Sequence, residues 1–191
     1  ADEKIQNFYT EKYGVVHPTK AGLKIPQIFD AAINKEVKAV WIIGEDVVQT
    51  DPNSAHVAKA MNALDLLVVQ EIFLSETAKH ADVVLPGTTF LEKEGTFTNT
   101  ERRVQRVNRA AKPLPGTKPD GLIVTDMMQK LGYNQPTYDA DQILAEIADV
   151  VPFFKGITRE RLGKLGLQWP VKEDGTDTKI LHEKEFKLGK G

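Results

Sequence analysis

Apolar residues fall into two rhythms along this chain. Over residues 25–35, IPQIFDAAINK, the residues Ile25, Ile28, Phe29, Ala32 and Ile33 recur at helical spacing, and Pro26 stands where a helix can begin. Residues 38–43, KAVWII, are instead a nearly unbroken apolar run ending at Gly44, and their length and β-branching predict a strand buried on both faces. Helical spacing returns in DPNSAHVAKAMNAL, where Pro52 follows a candidate cap at Asp51 and Val57, Met61 and Leu64 form the stripe. A second apolar run, DLLVVQ at 65–70, predicts another buried strand, SETAKHA a short polar helix, and DVVLP at 82–86 a third strand. Apolar strands separated by helices predict a parallel sheet with helices on both faces.

After the third strand the pattern breaks. The stretch ADVVLPGTTFLEKEGTFTNTERRVQRV, residues 81–107, becomes dense in Gly, Thr, Glu and Asn, which predicts a long polar loop with a hairpin-like excursion. Periodicity resumes at Pro119, with Ile123, Val124, Met127, Met128 and Leu131 on one stripe and Gly132 as the stop. Asp139 and Gln142 have capping-box spacing before Ile143, Leu144, Ile147, Val150 and Val151, and Pro152 ends that helix. From about residue 153 the text turns to one short helix and much turn chemistry. The expected fold is α/β, a Rossmann-like parallel sheet flanked by helices, with an extended polar loop and an irregular C-terminal segment. The expected division is a lead-in from a preceding domain at 1–24, an α/β domain at 25–152, and a segment at 153–191 leading toward a further C-terminal domain.

Composition narrows the chemistry. The 191 residues are 41% hydrophobic and 27% charged, an ordinary soluble balance. A net charge of −2 offers no overall attraction to nucleic acid or to a membrane surface. Cysteine is absent, so disulfides, thiolate metal sites, iron-sulfur clusters and cysteine nucleophiles are excluded within these residues. His17, His56, His80 and His182 show no metal-ligand spacing. No apolar run approaches the ~20 residues of a membrane helix, and the N-terminal residues lack the apolar core of a signal peptide. The expectation is a soluble, cytoplasmic chain without a metal site of its own.

In a parallel α/β sheet, ligands bind beyond the carboxyl ends of the strands. The residues there are Gly44, Glu45, Asp46 and Thr50 after the first run, Gln70 and Glu71 after the second, and Gly87, Thr88 and Thr89 after the third. A glycine admits close backbone approach, a carboxylate accepts paired hydrogen bonds from adjacent N–H groups, and hydroxyls serve ribose or phosphate. Strand-end turns are also rich in these residues for purely structural reasons, so a nucleotide site and a plain turn both remain open at this level.

A resemblance carries the reading further. The phrases GED, QTDP, VVQEIFLSETAKHADVVLP, EKEGTFTNTERRVQ and GLQWP occur in the order found in the molybdopterin oxidoreductase family, and within it the chain resembles the catalytic subunit of formate dehydrogenases. The match runs from the YGV at 13–15 through Trp169 and Pro170. It implies that residues 25–152 hold one molybdopterin guanine dinucleotide. Asp46, Thr50 and Gln70 would line its guanosine part, together with Gly44 and Glu45 of the same turn. Gly87 would contribute backbone only, with the hydroxyl of Thr88 beside it, and Asp120 of KPD would accept from guanine. Because three of them follow strands and the fourth opens a helix, Asp46, Thr50, Gln70 and Asp120 are expected to converge on one groove at the carboxyl edge of the sheet, and the resemblance implies that Asn99 and Arg102 order the polar loop.

The same resemblance implies what this chain does not carry. The iron-sulfur motif, the cysteine or selenocysteine that ligates molybdenum or tungsten, and the active-site His and Arg belong to other parts of such a subunit, so no catalytic residue is expected here. The implied reaction of the whole enzyme is oxidation of formate to carbon dioxide, with the remaining domains of the large subunit and electron-transfer subunits as partners. Two other readings stay in play: the equivalent domain of another molybdopterin enzyme, such as nitrate reductase or the complex I large subunit, and a stand-alone nucleotide-binding module.

Overall fold

The computed structural model describes residues 2–183, 185, 186 and 189. It divides into two units, Ala1–Val84 and Leu85–Gly191. The first unit opens with α1 (Glu3–Tyr13), capped by Asp2, whose carboxylate accepts the Lys4 N–H at 2.9 Å. Helix α2 (Ile25–Ile33) leads into β1 (Ala39–Ile43), which pairs in parallel with β2 (Leu66–Glu71) from Ala39 opposite Leu66 to Ile43 opposite Gln70. Strand β3 (Val83–Pro86) completes the order β1-β2-β3. All three apolar runs are therefore strands, each within about a residue of the expected ends. The helix expected from Asp51 begins later, as α4 (Ser54–Ala63), and a separate short helix, α3 (Val47–Thr50), precedes it. Pro52, lacking an N–H, interrupts the ladder, and Asn53 caps α4 by accepting the His56 N–H at 3.3 Å.

The core of this unit joins Phe29 and Ala32 of α2 and Val57, Ala60 and Met61 of α4 to Ile42, Leu67 and Val69 of the strands. Those strand residues share one side of the pleat. The sheet is flanked by helices as expected, but within this unit α2 and α4 gather on one face. On the other face Ile43 and Leu66 keep 48% and 42% of their exposure. The reason is chain order: the crossover from β1 to β2 lays α4 over one face, and α2 packs beside it.

In the second unit β4 (Gly95–Thr98) and β5 (Arg103–Val107) form an antiparallel hairpin within the polar ribbon, and β6 (Leu167–Gln168) pairs with β5. Helices α5 (Asp120–Lys130), α6 (Ala140–Val150) and α7 (Arg159–Leu162) complete it. The core consists of Val104, Leu144, Ile157, Leu162 and Val171, with Phe154, Leu167 and Trp169 packed against it. Residues 153–171, expected as part of a connecting segment, thus supply much of this unit's interior. Gly156 shows how tightly they fit, since a Cβ there would stand 1.7 Å from the Lys172 carbonyl oxygen. Residues 184, 187, 188, 190 and 191 of that segment lie outside the described residues.

The tip of the ribbon is ordered from within the second unit. The Asn99 Oδ1 accepts the N–H groups of Glu101 at 3.1 Å and Arg103 at 2.9 Å. Arg102, with φ 69°, sends its guanidinium to the carbonyl oxygens of Trp169, Thr178 and Lys179, and lies 5.9 Å from the centre of the Trp169 ring. One arginine thereby ties the hairpin to the residues that follow β6.

Candidate functional site

The carboxyl edge of the first unit's sheet is built by two loops stapled together. β1 ends at Gly44, whose φ of 64° turns the chain while its N–H donates to the Gln70 carbonyl at 2.9 Å. A Cβ at Gly44 would meet nothing within 4 Å, so the backbone there borders open space. Two residues on, the Asp46 carboxylate spans to the loop after β2. Its Oδ1 accepts the Thr77 N–H at 2.9 Å and the Thr77 hydroxyl at 2.6 Å, and its Oδ2 accepts the Glu76 N–H at 3.2 Å. The Thr77 hydroxyl in turn accepts the Val48 N–H at 3.0 Å. Thr77 is fully buried, so these bonds replace all the water its polar groups would have.

Thr50 donates its hydroxyl to Glu45 Oε1 at 2.6 Å, which holds the exposed Glu45 carboxylate over the turn. Gln70 is fully buried at the end of β2. Glu71 accepts the Ile72 N–H at 2.6 Å, and Lys79, the cation of these loops, pairs with Glu76 at 2.5 Å. The edge is therefore rich in acceptors. It suits a ligand that presents donors, such as the ring N–H and amine of guanine or the hydroxyls of ribose. A pyrophosphate would meet like charge there.

Burial acts to raise the Asp46 pKa, but the Thr77 hydroxyl and the N–H groups of Thr77, Glu76 and Gln49 outweigh it, so the carboxyl titrates below its ordinary value of 3.8. A depressed carboxyl pKa contributes stability above the unfolded value, and that stability is lost as pH falls through the folded one. Acid titration is expected to loosen the 44–50 and 72–77 loops only below about pH 4. Backbone exchange followed at descending pH checks this, and loosening already at neutral pH would contradict it.

In the second unit, Gly87 forms a parallel bridge with Lys118. Next to it, Thr88 is 1% exposed and its hydroxyl, among the described residues, has no hydrogen-bond partner. Glu92 accepts the Thr89 N–H at 2.9 Å, the Thr89 hydroxyl at 2.8 Å and the Leu114 N–H at 2.9 Å, and these bonds hold its pKa below the usual range. Asp120 opens α5 and pairs with Lys93. Both line a cleft of about 250 Å³ beside Tyr138. Burial, then the charges of Asp120, Glu94 and Asp139, push the Tyr138 phenol up.

The structure thus brings Gly44, Glu45, Asp46, Thr50 and Gln70 together at one sheet edge. Gly87, Thr88 and Asp120 belong to the second unit. Thr77, the buried partner of Asp46, escaped the sequence reading because SETAKHA reads as an ordinary polar helix. Its one signal was a threonine at the start of a helical turn, a position that favours hydroxyl bonds to backbone.

The chain is 45% identical over 174 residues, 90% of its length, to the F420-dependent formate dehydrogenase subunit alpha of Methanocaldococcus jannaschii, of which it covers 26%. It is 41% identical over all 191 residues to the probable oxidoreductase YjgC of Bacillus subtilis, of which it covers 19%. The chain therefore spans about a fifth to a quarter of the length of the curated relatives it matches. Among solved structures, acetylene hydratase from Pelobacter acetylenicus superposes with a TM-score of 0.61 at 21% identity, over 82% of this chain and 22% of that one, a likeness of fold. The family model for molybdopterin oxidoreductases matches residues 10–130, and the chain belongs to the molybdopterin oxidoreductase family.

Proposed function

We propose that this chain is part of the cofactor-binding region of a formate dehydrogenase large subunit. In this reading Gly44, Glu45, Asp46, Thr50 and Gln70 are the first unit's contacts to a molybdopterin guanine dinucleotide carrying molybdenum or tungsten, and Gly87, Thr88 and Asp120 are candidate contacts considered within the second unit alone. The observation that carries it is the 45% identity, over 90% of the chain, to an enzyme named as a formate dehydrogenase. The residues fit such a group. Gly44 leaves its backbone open to close approach, the acceptors after β1 and β2 match the donors of guanosine, and the buried Thr88 hydroxyl has a bond still to make.

When bound, the cofactor supplies the two-electron chemistry that takes formate to carbon dioxide. The chain's own residues bind and orient. Thr50 fixes the Glu45 carboxylate so that its second oxygen is left to accept from the ligand. Asp46 holds the shape of the turn, with its two oxygens already engaged by Thr77 and Glu76. Asp120 presents a carboxylate at a helix start, steadied by Lys93. Any iron-sulfur cluster takes its cysteines from elsewhere in such an enzyme, because this chain has none. The partners in this reading are the other domains of the subunit and its electron-transfer subunits, and the compartment is the cytoplasm. Among the described residues, no helix is long and apolar enough to cross a membrane.

The test is the guanine-nucleotide content released from the purified complete subunit. Glu45→Gln and Asp120→Asn each put an amide donor where guanosine presents donors, and each is expected to weaken binding about ten- to a hundredfold, the worth of a charge-assisted hydrogen bond. Full loading of both variants would remove the assignment.

A further inference from the structure

We propose that the loop from Arg106 to Leu114 in the second unit is a docking surface for an acidic protein partner, a role separate from holding the cofactor. Between Glu101 and Asp120 the sequence contains no carboxylate, while Arg102, Arg103, Arg106, Arg109, Lys112 and Lys118 fall in that interval. Some of these cations are already used. Arg102 caps carbonyls, Arg103 pairs with Glu101 at 2.9 Å, and Lys118 pairs with Asp126 at 2.6 Å. Arg106 donates to the neutral side chain of Asn108 at 3.2 Å, and its charge also acts on the Glu160 carboxylate. Arg109 and Lys112 are exposed and, among the described residues, have no hydrogen-bond or ion-pair partner.

The backbone beneath these charges is held in place. The N–H groups of Ala110 and Ala111 both donate to the Leu91 carbonyl, at 2.8 and 2.9 Å, and the Leu114 N–H donates to Glu92 at 2.9 Å. A loop anchored at three successive points loses little further entropy when something docks on it. Leu114, 66% exposed, adds an apolar contact beside the cations. Free arginine and lysine next to an exposed leucine match a protein surface carrying carboxylates around an apolar residue. Nucleic acid fits less well. So few unpaired cations would neutralise few phosphates.

The experiment uses a short fluorescent peptide of alternating Glu and Leu as probe, with anisotropy read at low and at physiological salt. Arg109→Glu combined with Lys112→Glu is expected to weaken binding about tenfold, as the loss and reversal of two surface charges would. The same reversals at Lys59 and Lys164, both exposed and remote in sequence from this loop, are expected to leave binding unchanged. Leu114→Ser is expected to abolish any preference for this peptide over poly-glutamate. Equal losses from both charge-reversal pairs would overturn the proposal, as would tighter binding of a poly-uridine RNA of equal charge. Displacement of the peptide by micromolar inorganic pyrophosphate would overturn it too, by making the loop a phosphate site.

Discussion

Replacing Leu67 with alanine is expected to destabilise the first unit by about 3 kcal/mol, within the ~2–5 kcal/mol range of large-to-small core changes. Leu67 is fully buried at the centre of the cluster formed by α2, α4 and the parallel strands. Its backbone is fixed on both sides, the N–H donating to the Asp82 carboxylate at 2.7 Å and the carbonyl accepting the Asp82 N–H at 2.9 Å. A main chain held this way cannot move inward to fill the space left by the missing methyls, so the cavity term is retained. Against a total stability of ~5–15 kcal/mol for a domain, this is a large share. Urea unfolding with hydrogen exchange read at 39–43 and 66–71 measures it, and Leu67→Met, which keeps the volume, is expected to cost under ~1.5 kcal/mol. A loss below about 1 kcal/mol on Leu67→Ala would mean that the helices do not pack over β2 as described.

Asp46→Ala is expected to act on stability and on the candidate site together. It leaves the buried Thr77 N–H and hydroxyl, and the Glu76 N–H, without their acceptor. Each buried donor stranded in this way costs about 1–3 kcal/mol, though water can enter this half-exposed loop and recover part of it, which gives an expected loss of about 2–3 kcal/mol. The loops after β1 and β2 are expected to separate, exposing 44–50 and 72–77 to exchange while the core strands stay protected. Thr77→Val provides the comparison, since it removes the hydroxyl bond but leaves the N–H bond to Asp46. A smaller loss confined to the same loops is expected, and equal protection in all three proteins would show that the staple does not hold the edge.

Element types were legible because they follow from local pattern. Runs such as AVWII and LLVV cannot be satisfied as exposed helix or coil, and the stripes of α2, α5 and α6 repeat at the helical period, so strand and helix were assigned without knowledge of neighbours. The residues that gather at the sheet edge were legible through topology, since a parallel sheet collects whatever follows its strands at one end. Asp46 looked like a ligand contact because a carboxylate in a turn advertises acceptors. Which donors take them depends on Thr77, 31 positions later.

What the chain determined by itself is its element order, its parallel sheet, the absence of cysteine chemistry and the family phrases that place it among molybdopterin oxidoreductases. The tertiary structure decided that α2 and α4 share one face, that Asp46 and Thr77 staple two loops, and that residues 153–171 contribute to the second unit's core. The difference is physical. Periodicity and propensity act over a few residues, whereas a buried donor finds its acceptor, and an apolar side chain its neighbours, only when distant segments have been brought into contact.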